Sequence, residues 1–178
     1  PVGYSAMGGQ TLNPYGRRQF ETGGSSSGSG VAVAANYAVA AIGSETSGSI
    51  LSPSGKNSVV GLKPTIGAVS RSGVVPISST LDTAGPMTKN VVDNAILLSA
   101  ITGLDSKDSY SYASQSIRFQ GLDTIQMKGK RLGLIRNFAK DSLMQVAIKI
   151  MEEAGATIIT FDPPEAALKQ FRKILDVD

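Results

Sequence analysis

The chain has 178 residues with no Cys, no His and no Trp, a length that fits one domain of ordinary size. Without cysteine it has no disulfide and no thiol nucleophile, and without histidine the usual zinc sites and every Ser-His-Asp or Cys-His mechanism are excluded for this chain on its own. Seventeen basic against fourteen acidic residues leave a charge of +3, too small and too dispersed for a nucleic-acid binder.

The chain opens at Pro1 without an initiator Met or a basic, apolar signal sequence, which reads as the cut edge of a longer protein. Residues 1–90 hold 15 Gly, 15 Ser and only 9 charged residues, whereas residues 91–178 hold 5 Gly, 7 Ser and 22 charged residues. The first half has the chemistry of a site and the second that of a scaffold. Its small residues are interleaved with apolar runs, which flexible linkers lack.

Residues 31–38, VAVAANYA, read as a central helix of small residues able to pack closely on every side. Residues 38–43 either prolong it or form a short buried strand, since period alone does not separate the two. The apolar stretch 31–42 is only 12 residues long and is broken by Asn36, too short to cross a hydrocarbon core of about 30 Å. A soluble, cytoplasmic protein without membrane contact is expected. Residues 59–62, 68–70 and 74–77 read as short strands or extended segments between Gly and Pro turns. From residue 89 to 101 the apolar residues Val91, Val92, Ala95, Ile96, Leu98 and Ile101 recur at helical spacing, with Gly103 as a stop.

A polar stretch, 105–120, contains Tyr110 and Tyr112, which either are exposed or line an entrance. Residues 131–135 then read as a strand, 141–154 as a helix capped by Gly155, 157–161 as a strand and 165–175 as a helix. This last helix stops without a Gly or Asn cap, which reads as a second cut edge. Alternating strands and helices predict an α/β layer structure.

The segment 23–53, GGSSSGSGVAVAANYAVAAIGSETSGSILSP, is the informative one. Gly55-Lys56 lacks the upstream Gly and the following Ser or Thr of a nucleotide-binding P-loop. Gly24-Ser25-Ser26-Ser27-Gly28 has the form G-x-S-x-G, but a nucleophile elbow needs a histidine partner. No Ser stands three residues before a Lys, so the S-x-x-K dyad is absent too.

A two-part serine pattern does match. Gly23-Gly24-Ser25-Ser26, followed after the small-residue helix by Gly43-Ser44-Glu45-Thr46-Ser47-Gly48-Ser49-Ile50, resembles the amidase signature family. The resemblance begins at Asn13-Pro14-Tyr15 and continues through Val60-Gly61-Leu62-Lys63-Pro64-Thr65, Gly67, Ser70-Arg71, Gly73 and Asp82-Thr83-Ala84-Gly85-Pro86-Met87. It covers residues 4–103 closely and residues 130–161 more loosely. In the details of residues 45–51 and 82–86 it looks most like the peptide amidase branch.

That resemblance implies part of the family's mixed-sheet α/β fold with flanking helices. Residues 1–178 would then be a central fragment of a single domain, with 1–103 the signature core and 104–178 a strand-helix scaffold. It also implies an amide-bond hydrolase acting on small-molecule or peptide amides, without cofactor or metal. Ser49 corresponds to the nucleophile, and Ser25, held by a cis peptide bond, to the bridging serine. The base is a lysine that in the family precedes the position of Pro1. A neutral lysine can take a hydroxyl proton through an intervening serine, so histidine is unnecessary. Thr46, Ser47, Gly48 and Ser49 would offer backbone N–H groups to the developing oxyanion, where small residues let the substrate approach.

Lys56 and Lys63 fall where the resemblance places a turn and a structural segment. Leu51 stands where many relatives have Arg and Glu45 where they have Asp, so an ion pair possible elsewhere in the family is missing. Other readings stay open. Ser25 and Ser49 can be an N-cap and a turn serine. Ser26 and Ser27 read as backbone partners, and Arg71 and Asp82 as structural contacts. The chain can also be a non-catalytic remnant or binding module, or the A component of a tRNA-dependent amidotransferase. A piece with missing neighbours is further expected to expose apolar surface and self-associate.

Overall fold

The computed structural model describes residues 2–113 and 126–165. The chain divides into two compact units, Pro1–Gln120 and Gly121–Asp178. The first opens with a hairpin of β1 (Tyr4–Ser5) and β2 (Gly9–Gln10). There follow α1 (Ser27–Ala34), β3 (Ala40–Glu45), α2 (Leu51–Lys56), β4 (Val60–Gly61), β5 (Thr83–Thr88) and α3 (Val91–Ile101). Strands β3, β5 and β4 form one antiparallel sheet with β5 in the middle.

The helix expected at 31–38 begins four residues earlier and ends at Ala34. Asn36 turns the chain with a φ of 61°, a conformation that Asn tolerates better than most residues, and the N–H groups of Tyr37 and Ala38 close onto the Ala32 carbonyl. The ambiguous stretch after it becomes β3, because Ala40 to Glu45 find partners from Thr88 to Thr83 on β5. The core lies between helix and sheet, where Val33, Ala34, Ile50, Val59 and Met87 are buried together against Ala41. Small residues on α1 allow this: a side chain at Gly30 would meet the Met87 methyl and the Pro53 carbonyl at 3.3 Å.

In this sheet β3 is an edge, and serine hydroxyls occupy that edge. Ser26 Oγ donates to the Ser44 carbonyl at 3.2 Å and accepts from the Ser44 N–H at 3.1 Å, while Ser29 Oγ donates to the Ile42 carbonyl at 2.8 Å. Backbone groups that would otherwise await another strand are satisfied by α1 and its cap residue.

The central strand β5 is the main element that the sequence does not predict. Its sequence, TAGPMT, carries both residues that ordinarily argue against a central strand, yet all six positions are buried. Pro86 is tolerated because its carbonyl accepts from Leu62 N–H at 3.1 Å, so its nitrogen faces the side where the two-residue β4 has already ended. Pro53 lies similarly within α2, in the first turn, where backbone N–H groups have no intrahelical partner to lose. Residues 74–77 take no strand partner, although Val69 forms an isolated bridge with Thr102. α3 starts at Val91 rather than 89, because Asn90 Oδ1 accepts the Asp93 N–H at 2.8 Å and caps it.

In the second unit β6 (Arg131–Ile135) and β7 (Thr157–Phe161) pair in parallel, joined by a 3-10 helix (Arg136–Lys140) and α4 (Ser142–Glu153). Both strands have the expected bounds. Asp141 serves as N-cap of α4, accepting from Met144 N–H at 2.9 Å, and Gly155 follows its end with a φ of 93°. The helix expected at 165–175 lies outside the described residues beyond Glu165, as does much of 105–120. The architecture is mixed α/β, and no helix among the described residues is long and apolar enough to cross a membrane.

Candidate active site

Ser25 sits in the turn before α1, after a cis Gly24–Ser25 peptide bond, and Ser49 in the turn between β3 and α2. Ser25 is exposed and Ser49 half-buried. The two turns are tied together: the Ser26 N–H donates to the Ser49 carbonyl at 3.1 Å, and Ser26 Oγ holds Ser44. The approach depends on Gly23, whose φ is +65° and whose absent Cβ would lie 2.7 Å from the Pro53 nitrogen. Ser27 Oγ donates to the Gly23 carbonyl, so Ser26 and Ser27 are backbone partners as expected.

Residue 50, next to Ser49, is a fully buried Ile that anchors the turn in the core. Glu45, 3 % exposed at the end of β3, reaches across the turn, and its Oε2 accepts from the N–H groups of Ile50 at 2.7 Å and Leu51 at 2.9 Å. Its carboxylate therefore meets the start of α2, where anionic acceptors are favoured, and needs no arginine at position 51. Gly48 lies within the turn with a φ of +97°. The backbone N–H groups of Ser47, Gly48 and Ser49 have no partner among the described residues.

Thr46, the first residue after β3, donates its hydroxyl to Asp82 Oδ1. The other carboxylate oxygen of Asp82 accepts from the N–H groups of Ile77 at 2.7 Å and Ser78 at 3.0 Å. Burial works against the Asp82 charge, but these three donors and the nearby Arg71 guanidinium hold its carboxyl below the ordinary range. Arg71 is itself engaged. It pairs with Asp108 through Nη2 at 3.0 Å and Nε at 3.1 Å, donates to the Ser79 carbonyl at 2.6 Å and stacks 4.3 Å from the Tyr110 ring centre. The Arg71 hydrogen bond holds Asp108 well below the usual carboxylate range despite its burial, and raises Arg71 in turn. Arg71, Val74, Ser78, Asp82 and Lys107 line an adjoining cleft of about 250 Å³, and Tyr112 lines a separate one with Leu62 and Leu98.

The two lysines near the motif are occupied elsewhere. Lys56 lies 3.8 Å from Glu21 on the surface, and Lys63 Nζ donates to the Leu81 carbonyl at 3.0 Å. The sequence gives no sign of Asp108 as a partner; it follows Arg71 by 37 residues, and no spacing rule links the two. Nor does the sequence show the grip of Glu45 on Ile50 and Leu51, although Glu45 belongs to the serine motif.

Comparison with known proteins places the chain in a family. The family model described as Amidase matches residues 2–173. The crystal structure of native peptide amidase from Stenotrophomonas maltophilia is 45% identical and superposes with a TM-score of 0.85, over 92% of this chain and 35% of that one. The A component of glutamyl-tRNA(Gln) amidotransferase from Ruegeria sp. (strain TM1040) is 43% identical over 154 residues, 84% of this chain and 31% of that protein. Its counterpart from Thermotoga maritima is 32% identical with a TM-score of 0.85, over 93% of this chain and 38% of that one. This chain thus spans about a third of the length of the relatives it matches. With the family model covering nearly all of its residues, the chain belongs to the amidase signature family.

Proposed function

We propose that this chain is the nucleophile-bearing part of an amide-bond hydrolase acting on linear amides, peptide amides among them. In this reading Ser49 Oγ attacks the substrate carbonyl carbon while its proton passes to Ser25 Oγ, whose own proton goes to a neutral lysine N-terminal to this segment in the whole protein. The carbonyl oxygen becomes an oxyanion facing N–H groups of the 46–49 turn. The C–N bond then breaks as the amine leaves with a proton returned along the same serines, and water releases the acyl group from Ser49. The observation that carries the reading is the hydrogen bond from Ser26 N–H to the Ser49 carbonyl, which ties the two serine turns together. The test is Ser49→Ala in the longest natural protein containing this chain. Amide hydrolysis and labelling by a serine-reactive fluorophosphonate should both vanish, and retention of either one refutes the assignment.

The identity with the A components of amidotransferases supports a second reading, in which the amide is a source of ammonia for a partner. Co-purification with further polypeptides and transfer of ammonia, instead of its release, would select it. An intact protein with no turnover of any amide would leave a binding module. Cytoplasmic placement belongs to the same proposal and is checked by cell fractionation. Self-association is proposed from the exposed apolar side chains, Tyr37 at 86 % and Val39 at 84 % among them, and light scattering across a concentration series tests it.

A further inference from the structure

The register of the sheet brings Thr46 and Asp82 together. Glu45 is the last residue of β3 and pairs with Thr83, the first residue of β5, so the next position on each strand lies just beyond the last rung. There the ladder is continued by side chains, the Thr46 hydroxyl donating to Asp82 Oδ1. Asp82 is 6 % exposed, and its second oxygen is fixed by the Ile77 and Ser78 N–H groups. Across the same turn the Glu45 carboxylate holds Ile50 and Leu51. Two buried carboxylates thus grip the turn at its two ends, and the three amides between them are uncommitted among the described residues.

We infer that Asp82 is a positioning residue for the Ser49 turn, acting through the Thr46 hydroxyl to keep the amides of Ser47, Gly48 and Ser49 fixed for an anionic ligand atom. The inference rests on the amidase reading for what that ligand atom is, and on the geometry alone for the fixing. A loop whose amides must meet an oxyanion gains little if it moves freely, because ordering it at the moment of reaction would offset the stabilisation. Asp82 removes that freedom without touching the amides. It also explains why an acidic side chain is tolerated there. Both of its oxygens are filled by donors, and the charge of Arg71, itself held by Asp108, counters its own.

Two measurements test this. The first is backbone relaxation by NMR on the longest natural protein containing this chain, which needs no catalysis. In the unchanged chain the Ser47, Gly48 and Ser49 amides should have order parameters near about 0.85, and in Thr46→Val they should fall below about 0.6 while β3 and β5 keep theirs. Unchanged order parameters in Thr46→Val overturn the inference, as do values already low in the parent chain. Valine nearly matches threonine in shape and leaves the Asp82 bonds to Ile77 and Ser78 in place, so this variant is expected to keep the fold where Asp82→Ala loses it. The second measurement is steady-state hydrolysis by the longer natural protein. Thr46→Val and Asp82→Ala should each lower kcat by roughly 100-fold with KM within about threefold, and the double variant should be no worse than the poorer single one. Asp82→Asn, which can still accept from Ile77 and Ser78 and meet Thr46 through its amide, should recover at least about tenfold over Asp82→Ala. Losses confined to KM, or fully additive losses, overturn the inference. Absence of hydrolysis in the parent protein would refute the amidase reading, and the relaxation data would still decide whether Asp82 fixes the turn.

Discussion

The Ser26 N–H donates to the Ser49 carbonyl across 3.1 Å, joining two turns that lie 23 positions apart in the chain. The bond uses backbone on both sides, so it leaves both serine hydroxyls of the proposed chemistry, Ser25 and Ser49, outside it. It also places the start of α1 against the start of α2, where Ile50, next to Ser49, is buried in the same core as Val33.

Residues 1–178 alone should turn over peptide amides negligibly. Lys56, Lys63 and Lys89 are engaged by Glu21, the Leu81 carbonyl and the Ala34 carbonyl, which leaves the serines without these lysines as a base. Release of ammonia or amine from a peptide amide by the purified chain checks this. Robust turnover abolished by Ser49→Ala would mean that a group within the chain replaces the upstream lysine.

Gly23→Ala should destabilise the first unit. A φ of +65° costs a residue with a Cβ about 1–3 kcal/mol, and that Cβ would lie within 2.8 Å of Pro53 backbone atoms that cannot swing away. Thermal unfolding should show a lowered midpoint, whereas Gly28→Ala, with open space around the new methyl, should cause a much smaller change. Equal midpoints for the two variants would contradict the close passage of residue 23 against α2.

Glu45→Ala should cost on the order of 2 kcal/mol, because the Ile50 N–H, in a buried bond, and the Leu51 N–H both lose their acceptor. Glu45→Gln keeps an oxygen in reach and should recover part of the loss. Denaturant titration separates the two. If glutamine is as damaging as alanine, the carboxylate contributes by its charge at the α2 start rather than as an acceptor.

Acid should weaken the Arg71–Asp108 contact in a defined direction. Asp108 titrates lower in the folded chain than its unfolded value of 3.8, so its contribution is present above about pH 4 and is lost as pH falls below that value through the folded one. Asp108→Asn should therefore be less stable than the parent at pH 7, and the difference should shrink between about pH 4 and pH 2. Chemical denaturation at a series of pH values measures this. A difference that is constant down to about pH 2 would show that Asp108 contributes by shape and not by its ionisation.

Several elements are legible in the sequence because their signal is local. The strands at 131–135 and 157–161 and the helix between them follow from periodicity, an Asp cap and a Gly stop, all within a few residues of one another. The two serine segments are legible through their resemblance to the amidase signature family, and the structure adds why glycine stands there: a positive φ at Gly23 and Gly48, and a close approach at Gly23. What only the tertiary structure decided depends on partners distant in the chain. TAGPMT is a central strand because β3 and a very short β4 flank it and Pro86 faces the side where β4 stops, conditions its own residues do not encode. The pairing of Arg71 with Asp108, of Thr46 with Asp82 and of Ser26 with Ser44 is set by which segments the fold brings side by side. A side chain's hydrogen-bonding capacity is written in its identity, but its partner is chosen by the fold, because a polar group buried away from water must take whichever donor or acceptor the packing delivers to it.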